Sequence, residues 1–420
     1  MKFNKWTLSL AAIGVVSLAS AAQADEKMSA VQSALSSTTI SGYVDTSAQW
    51  NVGTGTGSSG TANEYAPPYK FGGPAKADGF NLNVVQLTIA KPLDESEWAS
   101  GYRADLWFGP DANTLGTQSF FSSGSSSSYA SQGDFAIRQA YVALRAPVGN
   151  GLDLKMGVFD SIIGYESLES GNNPNFTRSW GNSIEPQTMT GVLASYRVND
   201  VLSMSAGVAN STGPTINGRN ISPDEGTQMK AESYKTYMGS IALTAPDSMG
   251  WAAGSTLYAG VVNGFNENEN GSDYDDNSTS WYVGGTLATP VTGLKVGAAF
   301  DYLNVHNWQS YNGGNGDVWS VAGYTSYQAT EKLSLHLRGE YLDDRAYFFS
   351  SLDKVTVFTG TATAQYDLWK NVISRLEFRW DHSCSGIKYF GGGAYNYSYE
   401  TYAPTRINSY ILALNVIYKF

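Results

Sequence analysis

Cysteine is almost missing from this chain: Cys384 is the one thiol in 420 residues, so no internal disulfide can brace the fold. Histidine is scarce as well. Only His306, His336 and His382 could supply imidazole chemistry, and no motif sets any of them beside a carboxylate or serine for acid–base or nucleophilic work. Basic residues are outnumbered, with 26 Lys and Arg against 37 Asp and Glu; the net charge of −11 speaks against nucleic acid as a partner. Beyond the N-terminal stretch no apolar run reaches the roughly 18 residues a membrane-crossing helix needs, which excludes a helical membrane protein. No linker, charge block or shift of composition divides the chain into smaller domains.

The ends of the chain carry more. "MKFNKWTLSLAAIGVVSLASAAQADE" has Lys2 and Lys5, a short apolar run and Ala22-Gln23-Ala24, the layout of a secretory signal peptide over residues 1–24 with the mature chain starting at Asp25. At the other end, "RINSYILALNVIYKF" reads in twos. Tyr410, Leu412, Leu414, Val416, Tyr418 and Phe420 form one apolar row, with Ser409, Asn415 and Lys419 opposite, so a strand with one apolar face closes the chain.

The same period recurs upstream. "VISRLEFRWD" sets Leu376, Phe378 and Trp380 against Arg375, Glu377, Arg379 and Asp381, and "KLSLHLRGEY" sets Leu333, Leu335 and Leu337 against His336, Arg338 and Glu340. Between residues 38 and 420 about 16 such segments can be marked, each near the roughly 9–11 residues of a tilted membrane strand. Their connections alternate between short ones, such as "VNDV" and "QATEK", and long ones rich in Gly, Ser, Asn and Asp. Aromatics on the apolar parity gather near strand ends: Tyr102 and Phe108, Trp319 and Tyr327, Tyr410 and Tyr418. Together these predict an all-β fold: one transmembrane antiparallel barrel over 38–420, with 25–37 as a short periplasmic segment, short periplasmic turns, long external loops and two aromatic girdles. Such a barrel belongs in the bacterial outer membrane, with its lipid as the outer partner.

"GYRADLWFGPDANTLGTQ", "RQAYVAL", "GVFDSIIGYE" and "SRLEFRWD", in this order, resemble the OmpL-like family of outer-membrane β-barrel porins. The resemblance covers most of the mature chain and implies a porin. The C-terminal aromatic strand also resembles the signal by which outer-membrane proteins are taken up by the barrel-assembly machinery, which gives Tyr418 and Phe420 an assembly role. A homotrimer is left open.

Residues of the polar parity then become lumen wall: Arg103, Asp105, Trp107, Arg138, Arg338, Glu340, Arg375, Glu377 and Arg379. Charges of both signs in one wall cost little only where water fills the interior or the ions pair. A barrel of this size is too wide for wall side chains alone to fill, so an aqueous channel for passive diffusion of ions and small hydrophilic solutes is expected, with no enzyme activity, cofactor or metal. The third long connection, from Asp160 to Thr188, is expected to narrow the channel, as the third external loop does in the 16-strand porins this chain resembles. Its candidates are Asp160, Tyr165, Glu166, Glu169, Arg178 and Glu185. Four acids against one Arg, facing Arg103 and Arg138, would set a transverse field. An ordinary surface loop is the alternative. Two further readings stay open: a sugar-type channel using Trp107, Tyr43 and Tyr141 as a stacking surface, and an outer-membrane enzyme or adhesin that carries its loops on a barrel.

Two motifs attract less. Gly55, Gly57 and Gly60 have the spacing of a dinucleotide loop, but prolines come where a helix should open, so an external loop is expected. The acidic run Glu267, Glu269, Asp273, Asp275 and Asp276 lacks the ligand spacing of a calcium loop.

Overall fold

Sixteen strands close on themselves in the computed structural model, each hydrogen-bonded antiparallel to its neighbour in sequence. The structure describes residues 37–52, 70–72, 76–94, 96–117, 133–220, 223–224, 228–229, 234–266, 277–308, 314–349, 354–391, 394–396 and 401–420. The signal-peptide segment, the Gly55–Gly60 motif and the acidic run from Glu267 to Asp276 lie outside them, as does all of 25–37 but its last residue.

The strands are β1 (Thr39–Trp50), β2 (Gly79–Lys91), β3 (Ser100–Phe108), β4 (Phe135–Ala146), β5 (Leu152–Asp160), β6 (Thr188–Arg197), β7 (Leu202–Ala209) and β8 (Thr236–Thr244). They continue as β9 (Thr256–Phe265), β10 (Asn277–Ala288), β11 (Leu294–Trp308), β12 (Gly314–Gln328), β13 (Leu333–Asp344), β14 (Val355–Trp369), β15 (Val372–Ser383) and β16 (Asn408–Lys419). β1 pairs with β16 from Tyr43↔Lys419 to Trp50↔Leu412. One step beyond, Gly42 and Phe420 exchange two backbone hydrogen bonds of 3.0 Å, so the last residue is part of the closing seam.

Alternation decides the facing. Along β16, Tyr410, Leu412, Leu414, Val416 and Tyr418 stand outward while Ser409, Ile411, Ala413, Asn415 and Ile417 are buried inside. In β15 Leu376 and Phe378 are exposed and Arg375, Glu377, Arg379 and Asp381 are buried. The aromatic residues at the strand ends point outward as the girdle pattern requires, with Tyr102, Phe108, Tyr327, Tyr410 and Tyr418 all exposed.

Two of the register shifts between barrel strands re-aim side chains in the lumen. Register shifts beside Asp45 and beside Asp105 leave the consecutive pairs Asn83–Val84 and Arg138–Gln139 both turned inward. An extra residue in one strand re-aims the side chains beyond it. Here it turns Gln139 inward beside Arg138, which stands at 0% exposure.

Candidate functional site

The connection between β5 and β6 does not leave the barrel. Residues 161–187 form an inner strap, and the strap's apolar side chains explain its path. Ile162 and Ile163 pack with Met189, Met238, Val262 and Tyr282 on the inner wall. Leu168 joins Tyr43, Trp107 and Ile417 on the far side. Phe176 meets Ile411 and Ala413, and Trp180 and Ile184 fill the space against Leu303, Val318, Leu342 and Val357. Wall glycines make room: a methyl group at Gly260 would run into Ile163, and one at Gly297 into the Tyr165 hydroxyl.

On the β2–β4 side the strap is held by ion pairs. Glu169 lies 2.7 Å from Arg138 and 3.3 Å from Arg103, and accepts from Gln86 at 3.1 Å. Arg138 also grips Asp160, and Arg103 reaches Asp105 at 2.8 Å. Burial alone would raise the Glu169 carboxyl, but the Arg138 charge and hydrogen bond, with Arg103 and Gln86, bring it down to about 2.

The β13–β15 side works differently, by gripping the strap's backbone. Glu377 accepts from the N–H of Phe176 at 2.6 Å and of Thr177 at 2.9 Å, and from the Thr177 hydroxyl at 2.6 Å. Glu340 accepts from the N–H of Trp180 and Gly181 at 2.9 and 2.8 Å. These open the short helix α1 (Trp180–Ile184), so the carboxylate also sits at a helix N-terminus, with Ser179 as its cap. Arginines take the carbonyls: Arg338 donates to Thr177 and Arg178, Arg379 to Arg178, and Arg375 to Ser170 and Asn173. One side-chain pair belongs here too, Glu166 with Arg338 at 2.8 Å. Tyr165 stacks on Tyr324 with ring centres 4.1 Å apart.

At its far end the strap sets Glu185 beside Asp301 of β11, and burial together with that second acid raises the Glu185 carboxyl well above its ordinary range. The strap separates two spaces. On the periplasmic side lies a vestibule of about 690 Å³, whose lining includes Asp160, Glu166, Asn173, Glu185, Lys295 and His336. On the external side a slot of about 20 Å³ is bounded by Asp45, Gln49, Lys70–Gly72, Lys76, Asp111, Ser170 and Phe176–Arg178.

Over residues 37–420 the chain matches the family described as "Putative beta-barrel porin-2, OmpL-like". The chain belongs to this porin family. Among solved structures the porin is similar to the anion-selective porin from Comamonas acidovorans, at 11% identity and a TM-score of 0.58, covering 91% of this chain and 99% of that one. It is also similar to the outer membrane channel DcaP of Acinetobacter baumannii (13%, TM-score 0.56, 91% and 97%) and to Salmonella typhi OmpF (14%, 0.53, 91% and 97%). At these identities the likeness is one of fold. No curated protein sequence matches the chain.

Several expectations need correcting. The wall residues Arg338, Glu340, Arg375, Glu377 and Arg379 do point inward, but at 0–2% exposure they hold the strap instead of facing water. Trp107 is buried at 1%, donating to Gln86 at 2.6 Å, and Tyr43 is buried beside it, so neither offers a stacking surface for a sugar. Arg103 and Arg138 are in direct contact with Asp160 and Glu169, so these charges pair at contact distance. Sequence reasoning missed Lys70, Lys76 and Asp111 at the slot. Lys70 and Lys76 come from the connection between β1 and β2 and Asp111 from that between β3 and β4, and no local pattern announces that they meet at one slot.

Proposed function

We propose that the strap of residues 161–187 is the constriction of this porin. Porins of this family are outer-membrane channels for passive diffusion, and the observation that carries the finer reading is the contrast between a vestibule of about 690 Å³ and a slot of about 20 Å³ on either side of one strap. Small hydrophilic solutes would pass the strap near Arg178 and Ser170, with no chemical turnover. Delivery begins with the signal peptide 1–24. Tyr418 and Phe420 serve assembly, and Phe420 adds the seam hydrogen bonds to Gly42. A homotrimer is the assembly favoured; one solved similar protein, OmpT of Vibrio cholerae, is described in a trimer form. Single-channel recording of purified, heat-modifiable barrel in a planar bilayer tests the reading. Stepwise conductance smaller than expected for an unobstructed barrel supports it, and an assembled barrel without current removes it.

A further inference from the structure

The slot holds an arginine that, like Arg375 on the wall, donates to no carboxylate. Arg103, Arg138, Arg338 and Arg379 each touch a carboxylate. Arg178 is equally buried, at 4% exposure, yet donates only to backbone carbonyls: Leu168 at 2.8 Å and Phe176 at 3.4 Å. Its Nε finds no partner, and neither do the Ser170 hydroxyl and the Gln49 carbonyl at the same slot. Among the described residues no carboxylate pairs with it. Neighbouring charges do not cancel it either. Lys76 is in contact with Asp111, which neutralises both. Asp45 takes hydrogen bonds from Asn83 at 2.8 Å and Asn415 at 2.6 Å, and stands against two cations, Arg178 and Lys70. The slot thus carries an excess positive charge inside a protein of net charge −11.

We propose that Arg178 sets the charge selectivity of the channel, drawing small anions, chloride and short carboxylates, through the slot against the overall acidity of the chain. A fixed charge at a narrow, low-dielectric point outweighs a larger but distant and screened one. The inference rests on the strap being the constriction. It deepens that reading by naming the solute class.

The test is the reversal potential of single barrels in a potassium chloride gradient. Wild type should favour chloride; Arg178→Gln should lower the chloride-to-potassium permeability ratio by about threefold or more, and Arg178→Lys should keep it. Asp45→Asn should move the ratio the other way, and it decides the matter where Arg178→Gln does not assemble. Conducting variants with an unmoved reversal potential overturn the proposal alone. An assembled wild-type barrel that passes no current overturns the constriction reading and this inference with it.

Discussion

The two sides of the lumen hold the same strap by different means. Along β2–β4, side chain meets side chain: Arg138 and Arg103 both pair with Glu169 of the strap, and Arg138 also with Asp160, the last residue of β5 before it. Along β13–β15, wall side chains grip backbone: Glu377 and Glu340 take four N–H groups, and three arginines take carbonyls. A side-chain pair can be lost and restored by exchanging partners, because both halves are encoded as residue types. A backbone grip has only one encoded half. It fixes the path of the strap whatever side chains the strap carries, and no substitution in the strap can replace a lost wall residue.

The largest effect should come from breaking a backbone grip. Glu377→Ala leaves the Phe176 and Thr177 N–H groups buried without an acceptor, at a cost of about 3–5 kcal/mol. Denaturant unfolding in detergent should read that loss, conductance should rise as the strap loosens, and no second substitution within the strap should recover either. Arg138→Met should cost about 3 kcal/mol, since Asp160 and Glu169 lose their shared cation. Here Glu169→Gln in the same chain should recover part of the loss, and the absence of recovery would erase the distinction between the walls.

The pH response sharpens it further. Glu169, held near 2 against its ordinary 4.5, contributes stability that is present above the ordinary value and is lost as pH falls towards 2. Wild type should therefore exceed Glu169→Gln by roughly 1–3 kcal/mol at pH 6, and the two should converge below pH 2. The smallest effect concerns Lys70, which burial lowers to about 8 against the opposing charge of Glu185. Lys76, Arg178, Asp45 and Asp111 share its slot, and Ser183 bonds its backbone. Raising the pH from 7 to 9 removes the Lys70 charge, so anion preference should fall by about twofold or less, and Lys70→Met should remove that dependence.

Much of this was legible because strand alternation is local. The outward row ending in Phe420 and the inward row of Arg375, Glu377 and Arg379 come from period two, whatever the partners. Arg138 is expected in the lumen wall as well, but that Gln139 turns inward beside it depends on a bulge, a backbone event that leaves no pattern in residue type. The strap did carry a signal of its own. Ile162, Ile163, Leu168, Phe176, Trp180 and Ile184 are too apolar for a loop that lies in water, and buried apolar groups need a wall. What they could not disclose is which wall, nor that acids and arginines on β13–β15 would recognise the backbone of the strap.

The central claim is that the strap lines the narrowest part of the conducting path. A chain carrying Cys384→Ser and Ser170→Cys puts a single thiol at the slot, to be challenged with a small methanethiosulfonate reagent during single-channel recording. The account predicts a stepwise fall in current on modification. Full modification by mass spectrometry with unchanged current would contradict it.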